Sequence, residues 1–206
     1  MVYPTSMKDC DILIIGAGCS GLSLAYRLIN SSLNVCVIDN MPKENRVRKT
    51  WSYWDTYDHP FKPLEKEPNS TLEIKNIYKT ILNCQDHHYA SIDSYDFDDY
   101  VLKRIDNCLN IETYFETNIK SIKEINEGFD VHLDNKTLKP KYVFDSRPNK
   151  TEATMKQTFK GIFVEFEKPL KRFVPSLMDF TDKNEFHFFY CLQLGVNQYL
   201  FESTYY

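Results

Sequence analysis

Gly16, Gly18 and Gly21 stand in a G-x-G-x-x-G spacing, and an acid, Asp39, follows eighteen residues after the third glycine. Those residue types in that order suit a dinucleotide. The first glycine permits a tight turn, the second lets the backbone approach a pyrophosphate, and the third lets a helix pack closely on a strand. Unpaired N–H groups and the dipole at the helix start favour the phosphates. A carboxylate at the position of Asp39 accepts hydrogen bonds from both ribose hydroxyls and disfavours a 2′-phosphate. A glycine triplet alone is weak evidence, because tight turns without a ligand share it. Here it lies between an apolar run at residues 11–15 and a helix-length segment that leads to a second apolar run at 33–38. That context makes a flavin or nicotinamide nucleotide the expected ligand.

The elements around this unit are legible to different degrees. Residues 94–109 predict a helix: Ser94 as its cap, Asp96, Asp98 and Asp99 in the first turn, and Lys103 and Arg104 late. Phe97, Val101, Ile105 and Leu109 would form its buried stripe. Residues 71–82 predict a strand or two, and residues 59–68, with three prolines, an irregular connection. Residues 119–125 and 129–133, separated by turn residues, read as a β-meander, and 142–145 as a short buried strand. From residue 157 the texture changes. Residues 159–166, 186–194 and 199–206 read as strands, and thirteen of the thirty aromatic residues fall within 159–206, which marks a separate aromatic sheet.

These elements predict a mixed α/β (α+β) chain with two domains. Residues 1–50 and 90–150 would form a Rossmann-like nucleotide-binding domain with a β-meander insertion. Residues 51–89 and 151–206 would form an aromatic-rich antiparallel sheet that binds substrate. The last strand-like run stops at Tyr206 without a turn, and a doubly wound fold has more strands and helices than these, so truncation is expected.

Composition narrows the classes further. With 25 basic and 29 acidic residues the net charge is −4, with no basic stripe, which argues against nucleic acid. No apolar run approaches the ~20 residues that span a bilayer, and the N-terminus does not read as a signal peptide. Six scattered cysteines without a C-x-x-C pair point to reduced thiols in the cytoplasm, with neither a disulfide framework nor a metal site. His87 and His88 are adjacent, which aims their rings apart and suits a loop better than a metal.

Several motifs together resemble the flavin-dependent lycopene cyclases of carotenoid biosynthesis, over residues 9–206. They are GAGCSGLSLAYRL at the glycine turn, KTWSYW at 49–54, residues 89–92 with Asp96 and Phe97, VFDSRP at 143–148, QTFKG at 157–161, LMDF at 177–180, FYCLQL at 189–194 and LFEST at 200–204. The glycine turn discriminates little; the order of the later motifs is far more specific. Gln193 stands where relatives commonly have proline. The chain also lacks the second flavin-contacting motif of such enzymes, so it resembles their N-terminal half.

The resemblance implies FAD as the cofactor, kept reduced by NAD(P)H, and lycopene, a membrane-dissolved carotenoid, as the substrate. It implies a peripheral, membrane-associated cytoplasmic enzyme and leaves the oligomeric state open. The reaction is a proton-initiated, non-redox closure of the linear ends into β-rings. Glu202, in E-x-T beside Thr204, is the acid it points to. Aromatic neighbours there would raise its pKa, although by itself a strand glutamate reads as exposed. Trp51, Tyr53 and Trp54 would line a tunnel for the polyene or plug a gap between sheets. Arg147 would meet phosphate or flavin, or end a strand; Asp179 would orient a site residue or shape a turn. Two other readings stay open: another FAD-dependent oxidoreductase, of the aromatic hydroxylase or polyprenyl reductase type, and an inactive nucleotide-binding fragment.

Overall fold

Ile12–Ile15 (β1) and Val35–Ile38 (β2) are buried at every position. Continuous aliphatic runs of this kind belong inside parallel sheets covered on both faces, and β1 and β2 pair in parallel. The computed structural model describes residues 7–148, 154–182 and 186–206. Helix α1 (Cys19–Arg27) joins β1 to β2. Next come β3 (Thr50–Trp54), β4 (Thr71–Lys75), β5 (Lys79–Asn83), β6 (Tyr89–Asp93) and α2 (Ser94–Ile105). Then follow β7 (Ile111–Tyr114), β8 (Ile119–Ile125), β9 (Gly128–Leu133), β10 (Thr137–Leu138) and β11 (Tyr142–Asp145). The last four strands are β12 (Thr158–Glu165), β13 (Ser176–Asp179), β14 (His187–Gln193) and β15 (Gln198–Tyr205). The chain divides into two units, Met1–Arg48 with Ser94–Lys150, and Lys49–Asp93 with Thr151–Tyr206. The expected domain boundary near residue 150 lies outside the described residues.

The first unit is built on a parallel sheet of order β11-β1-β2-β7. Leu13, Ile15, Cys36 and Ile38 on one side of it pack with Val131, Leu133 and Leu138 of the β8-β9-β10 meander. The α1 and α2 helices pack together, burying Leu22 and Ala25 from one and Phe97, Val101, Leu102 and Ile105 from the other. Phe97 is among the largest fully buried side chains. Phe97→Ala is therefore expected to cost about 3–5 kcal/mol, from lost transfer energy plus the cavity left behind, read by denaturant unfolding.

Two expectations fail here. The helix ends at Ile105 rather than 109, and Ser94 is its first residue rather than its cap. Leu109 lies beyond the helix, in the bend before β7, and is 99% exposed. The four-residue spacing alone suggested its place in the stripe. The strand at residues 142–145 exists, but it is not buried. It forms the outer edge of the sheet, with Tyr142 and Phe144 about half exposed.

The second unit holds a six-stranded sheet of order β12-β15-β14-β13-β4-β5 and a two-stranded pair, β3-β6. The large sheet is antiparallel except between β13 and β4, which run parallel. Among the described residues no helix is long and apolar enough to cross a membrane.

Candidate functional site

The three glycines of the first unit serve different needs. Gly16 has φ +100, and a Cβ there would collide with Ser146 Oγ at 2.2 Å. That hydroxyl donates to the Ile15 carbonyl at 2.7 Å, so strand β11's end backs the turn. Gly21 lies against the turn itself: a Cβ would stand 1.9 Å from the Gly16 carbonyl oxygen. Gly18 is different, because a Cβ there would meet nothing within 4 Å, and its φ of −78 suits any residue. The fold itself does not require a glycine at 18, so the open space is suited to a ligand. Gly18 is also the N-cap of α1, which has neither a side-chain cap nor an acid in its first turn. Its first N–H groups and dipole are thus directed at that space, the arrangement that binds phosphate.

Asp39 closes β2 beside the turn. Its Oδ2 accepts the Ala17 N–H at 2.7 Å and its Oδ1 the Met41 N–H at 2.8 Å. Each oxygen keeps a further lone pair for a ribose hydroxyl. Gly16, Gly18, Asp39 and Arg147 line one cleft of about 490 Å³, with Thr117 and Ser146. Arg147 is tied to Asp145, its Nη2 2.6 Å from Oδ2, so it reaches the cleft as half of an ion pair. Sequence reasoning passed over Arg46. Its guanidinium donates to the Ala17 carbonyl and lies 3.1 Å from Asp98 of α2, tying the glycine turn to that helix. Its place in a run of four basic residues gave no signal for that role. Burial, with the Asp98 charge, pushes the Cys19 thiol up rather than down, against its Ser23 hydrogen bond, so the helix start does not activate it.

In the second unit Glu202 is half-buried on β15, directly across from Tyr190 of β14 on one side and Gly161 of β12 on the other. Burial holds its carboxyl above the usual carboxylate range, against the opposing effect of the Thr204 hydrogen bond. Thr204, fully buried, donates to Glu202 Oε1 at 3.2 Å. Gly161 borders the other oxygen: a Cβ there would lie 3.5 Å from Oε2, an ordinary contact. The Tyr190 hydroxyl donates to the Tyr89 hydroxyl at 3.2 Å, and the Tyr89 ring meets Trp54 edge-on at 4.9 Å. Trp54, Tyr89, Tyr190, Glu202 and Thr204 therefore form one connected wall. Nothing in the motifs that contain Tyr89 and Tyr190 signals a role for either. Counting outward from the turn at 195–197 would have paired Tyr190 with Glu202.

Period-2 alternation along β3 separates the aromatic trio. Trp51 and Tyr53 lie on the other side of the strand from Trp54. Tyr53 donates to Glu65 at 2.8 Å and lies 3.0 Å from His59 Nε2. Asp179 is engaged elsewhere, accepting from Thr181 Oγ1 at 2.6 Å and pairing with Lys75 at 3.2 Å. Burial pushes its carboxyl up, but those bonds outweigh burial and hold it below the usual range. Glu202 and Asp179 are thus driven apart, one toward the neutral acid and one toward the carboxylate.

Two further clusters resolve into structure. Asp55, His59 and Glu65 place ligand atoms within 4.8 Å of one another. However, His59 Nδ1 accepts the Phe61 N–H at 3.2 Å, which puts the ring proton on Nε2, facing Glu65 at 3.3 Å, where a metal would need a lone pair. Asp182, His187 and Ser203 line up at 2.7 and 2.8 Å like a nucleophile relay. Strand β15 is paired on both sides, so its N–H groups are held in the ladders and supply no oxyanion donors.

A parallel sheet, a glycine turn opening α1 and a carboxylate ending β2 define a Rossmann-like fold of the kind that FAD-binding domains share. Solved structures agree on this fold. PqsL of Pseudomonas aeruginosa in complex with 2-aminobenzoylacetate superposes with a TM-score of 0.75 at 15% identity, covering 96% of this chain and 61% of that one. A geranylgeranyl bacteriochlorophyll reductase-like protein of Thermoplasma acidophilum gives 0.68 at 11%, covering 97% and 57%. The halogenase PltM in complex with phloroglucinol and FAD gives 0.65 at 13%, covering 95% and 51%. The family model described as lycopene cyclase protein matches residues 11–206, and the chain belongs to that family. An uncharacterized protein of Methanosarcina barkeri is 28% identical, over 81% of this chain and 46% of its own length. The chain thus spans about half of that curated relative.

Proposed function

We propose that the chain carries the FAD-binding turn and the acid of a lycopene cyclase, which closes the linear ends of lycopene into β-rings without net oxidation. The observation that carries this reading is Glu202. In a chain of this family it is a carboxyl held toward its neutral form by burial, with Thr204 as its hydrogen-bond partner. Glu202 would give its proton to the terminal double bond of the polyene. The resulting tertiary cation is attacked by a neighbouring double bond, and a proton is then lost. Trp54, Tyr89 and Tyr190 offer aromatic faces to that cation, worth ~0.5–2 kcal/mol each. Tyr53 and Asp179, engaged elsewhere, fit structural roles better.

The glycine turn, the uncapped start of α1 and Asp39 suit the pyrophosphate and ribose of FAD. When bound and kept reduced by NAD(P)H, it supplies an electron-rich ring that favours a nearby cation electrostatically. Removing the hydrogen bonds of a charged acceptor costs about 1.5–3 kcal/mol. Asp39→Ala is accordingly expected to weaken flavin binding by roughly 10–100-fold, read by titration of flavin fluorescence. We further propose that the enzyme meets its substrate at the membrane surface.

The reading is tested by expressing the gene in lycopene-accumulating cells, with and without Glu202→Gln. Ringed product that depends on Glu202 supports it; unchanged lycopene from the native sequence overturns it. Likeness in fold to a halogenase and a reductase-like protein favours a second reading, a redox flavoenzyme. In that case Glu202→Gln would leave turnover intact.

A further inference from the structure

Tyr190 sits where a phenol would be expected to serve Glu202. It is the direct cross-strand neighbour on the same side of the sheet, and a phenol that donates to a carboxylate stabilises the charged form. Its hydroxyl goes elsewhere: it donates to Tyr89 at 3.2 Å and has Ser52 as a second hydrogen-bond partner. Tyr89 is fixed in turn. It pairs with Trp54 across β3-β6, packs on that ring, and exchanges backbone hydrogen bonds with Asn69 at 3.2 and 3.1 Å. On the other side, Gly161 of β12 borders Oε2 of the Glu202 carboxyl, and Thr204 holds Oε1. The phenol and the acid are neighbours with their polar ends directed to different partners.

We propose that Tyr89 is a positioning residue that keeps the Tyr190 hydroxyl turned away from Glu202, so that Glu202 retains its proton between turnovers. The role rests on the reading of Glu202 as the proton donor. Around the carboxyl, β12 presents Gly161, β15 presents Thr204 and β14 presents Tyr190, with Tyr89 behind it. Among the described residues, burial and the Thr204 bond are the influences on it, with no charged side chain beside them. The two phenols are therefore the titratable groups that face it. Burial comes first in pushing the Tyr190 phenol up, followed by the nearby Tyr89 and Glu202, against the opposing effect of the Ser52 hydrogen bond. Tyr190 thus stays a donor throughout the working range, and its choice of acceptor sets how acidic Glu202 becomes.

The test titrates the Glu202 carboxyl by 13C NMR in the full-length flavoprotein, beside its pH–rate profile. Tyr89→Phe removes one oxygen, the acceptor of the Tyr190 hydroxyl, and leaves Ser52 beside it. The Glu202 ionisation constant is expected to rise about tenfold, and the alkaline limb of the profile to move to lower pH by the same amount. Tyr190→Phe alone should produce no such shift, and the Tyr89→Phe/Tyr190→Phe double variant should restore the native titration. An unchanged titration in Tyr89→Phe, or a shift that persists in the double variant, overturns the proposal. Should the titrations behave as expected while Glu202→Gln keeps full activity, the cyclase reading fails and the hydroxyl arrangement stands.

Discussion

With Glu202→Gln, ring formation is expected to fall by about 10²–10⁴-fold, the usual contribution of a positioned general acid, while flavin binding and folding persist. Glutamine keeps the shape of the side chain and an Oε1 for the Thr204 hydroxyl, yet it has no acidic proton to give. Product analysis by chromatography, with flavin absorbance as the folding control, reads both parts. The direction of the pH dependence follows from the raised carboxyl. With Glu202 as the proposed proton donor, the protonated form is the working form, so the native rate is expected to be full below the shifted pKa and to decline as pH rises through it. Stability moves the same way. The neutral acid is accommodated at low pH, and folding loses free energy as the half-buried group ionises. Glu202→Gln should flatten that part of the stability profile.

Gly18→Ala and Gly21→Ala should part company completely. At residue 18 the new methyl meets no protein atom within 4 Å and the backbone is unstrained, so stability should stay within about 0.5 kcal/mol of native or rise slightly. The methyl would, however, occupy the approach to the α1 N-terminus, and flavin content should drop at least about tenfold, measured by absorbance of the purified protein. At residue 21 the methyl would lie 1.9 Å from a backbone oxygen that cannot move without opening the turn. Overpacking of that kind costs about 3 kcal/mol or more, and denaturant unfolding should register it even without flavin. Native flavin content in Gly18→Ala would remove the α1 N-terminus as the phosphate site.

The parts of the molecule that were legible in the sequence are those governed by local rules. Four apolar residues in a row forecast β1 and β2 because a strand buried on both faces tolerates nothing polar. The roles of Gly16 and Gly21 followed from spacing, because backbone sterics over six residues dictate them. The misjudged parts depended on neighbours distant in sequence. Phe144 looks like a core residue until β11 proves to be an edge strand. Leu109 fits the helical stripe until the helix ends four residues earlier. The capture of Tyr53 by Glu65 and His59 depends on the course of the proline-rich connection, which no periodicity describes. Trp54 reaches Glu202's neighbours through Tyr89 and Tyr190, a path that crosses three strands. Only the alternation within β3 was local, and it alone would have set Trp54 apart from Trp51 and Tyr53.

The parallel pairing of β1 with β11, Ile12 beside Tyr142 and Ile15 beside Asp145, can form only late in synthesis. About 130 residues separate these partners, and a ribosome adds ~5–20 residues per second, so β1 emerges on the order of ten seconds before its outer neighbour. During that interval the nascent chain has made the glycine turn but not Ser146, whose hydroxyl backs Gly16. The nucleotide cradle is therefore among the first segments translated and among the last in its unit to be completed.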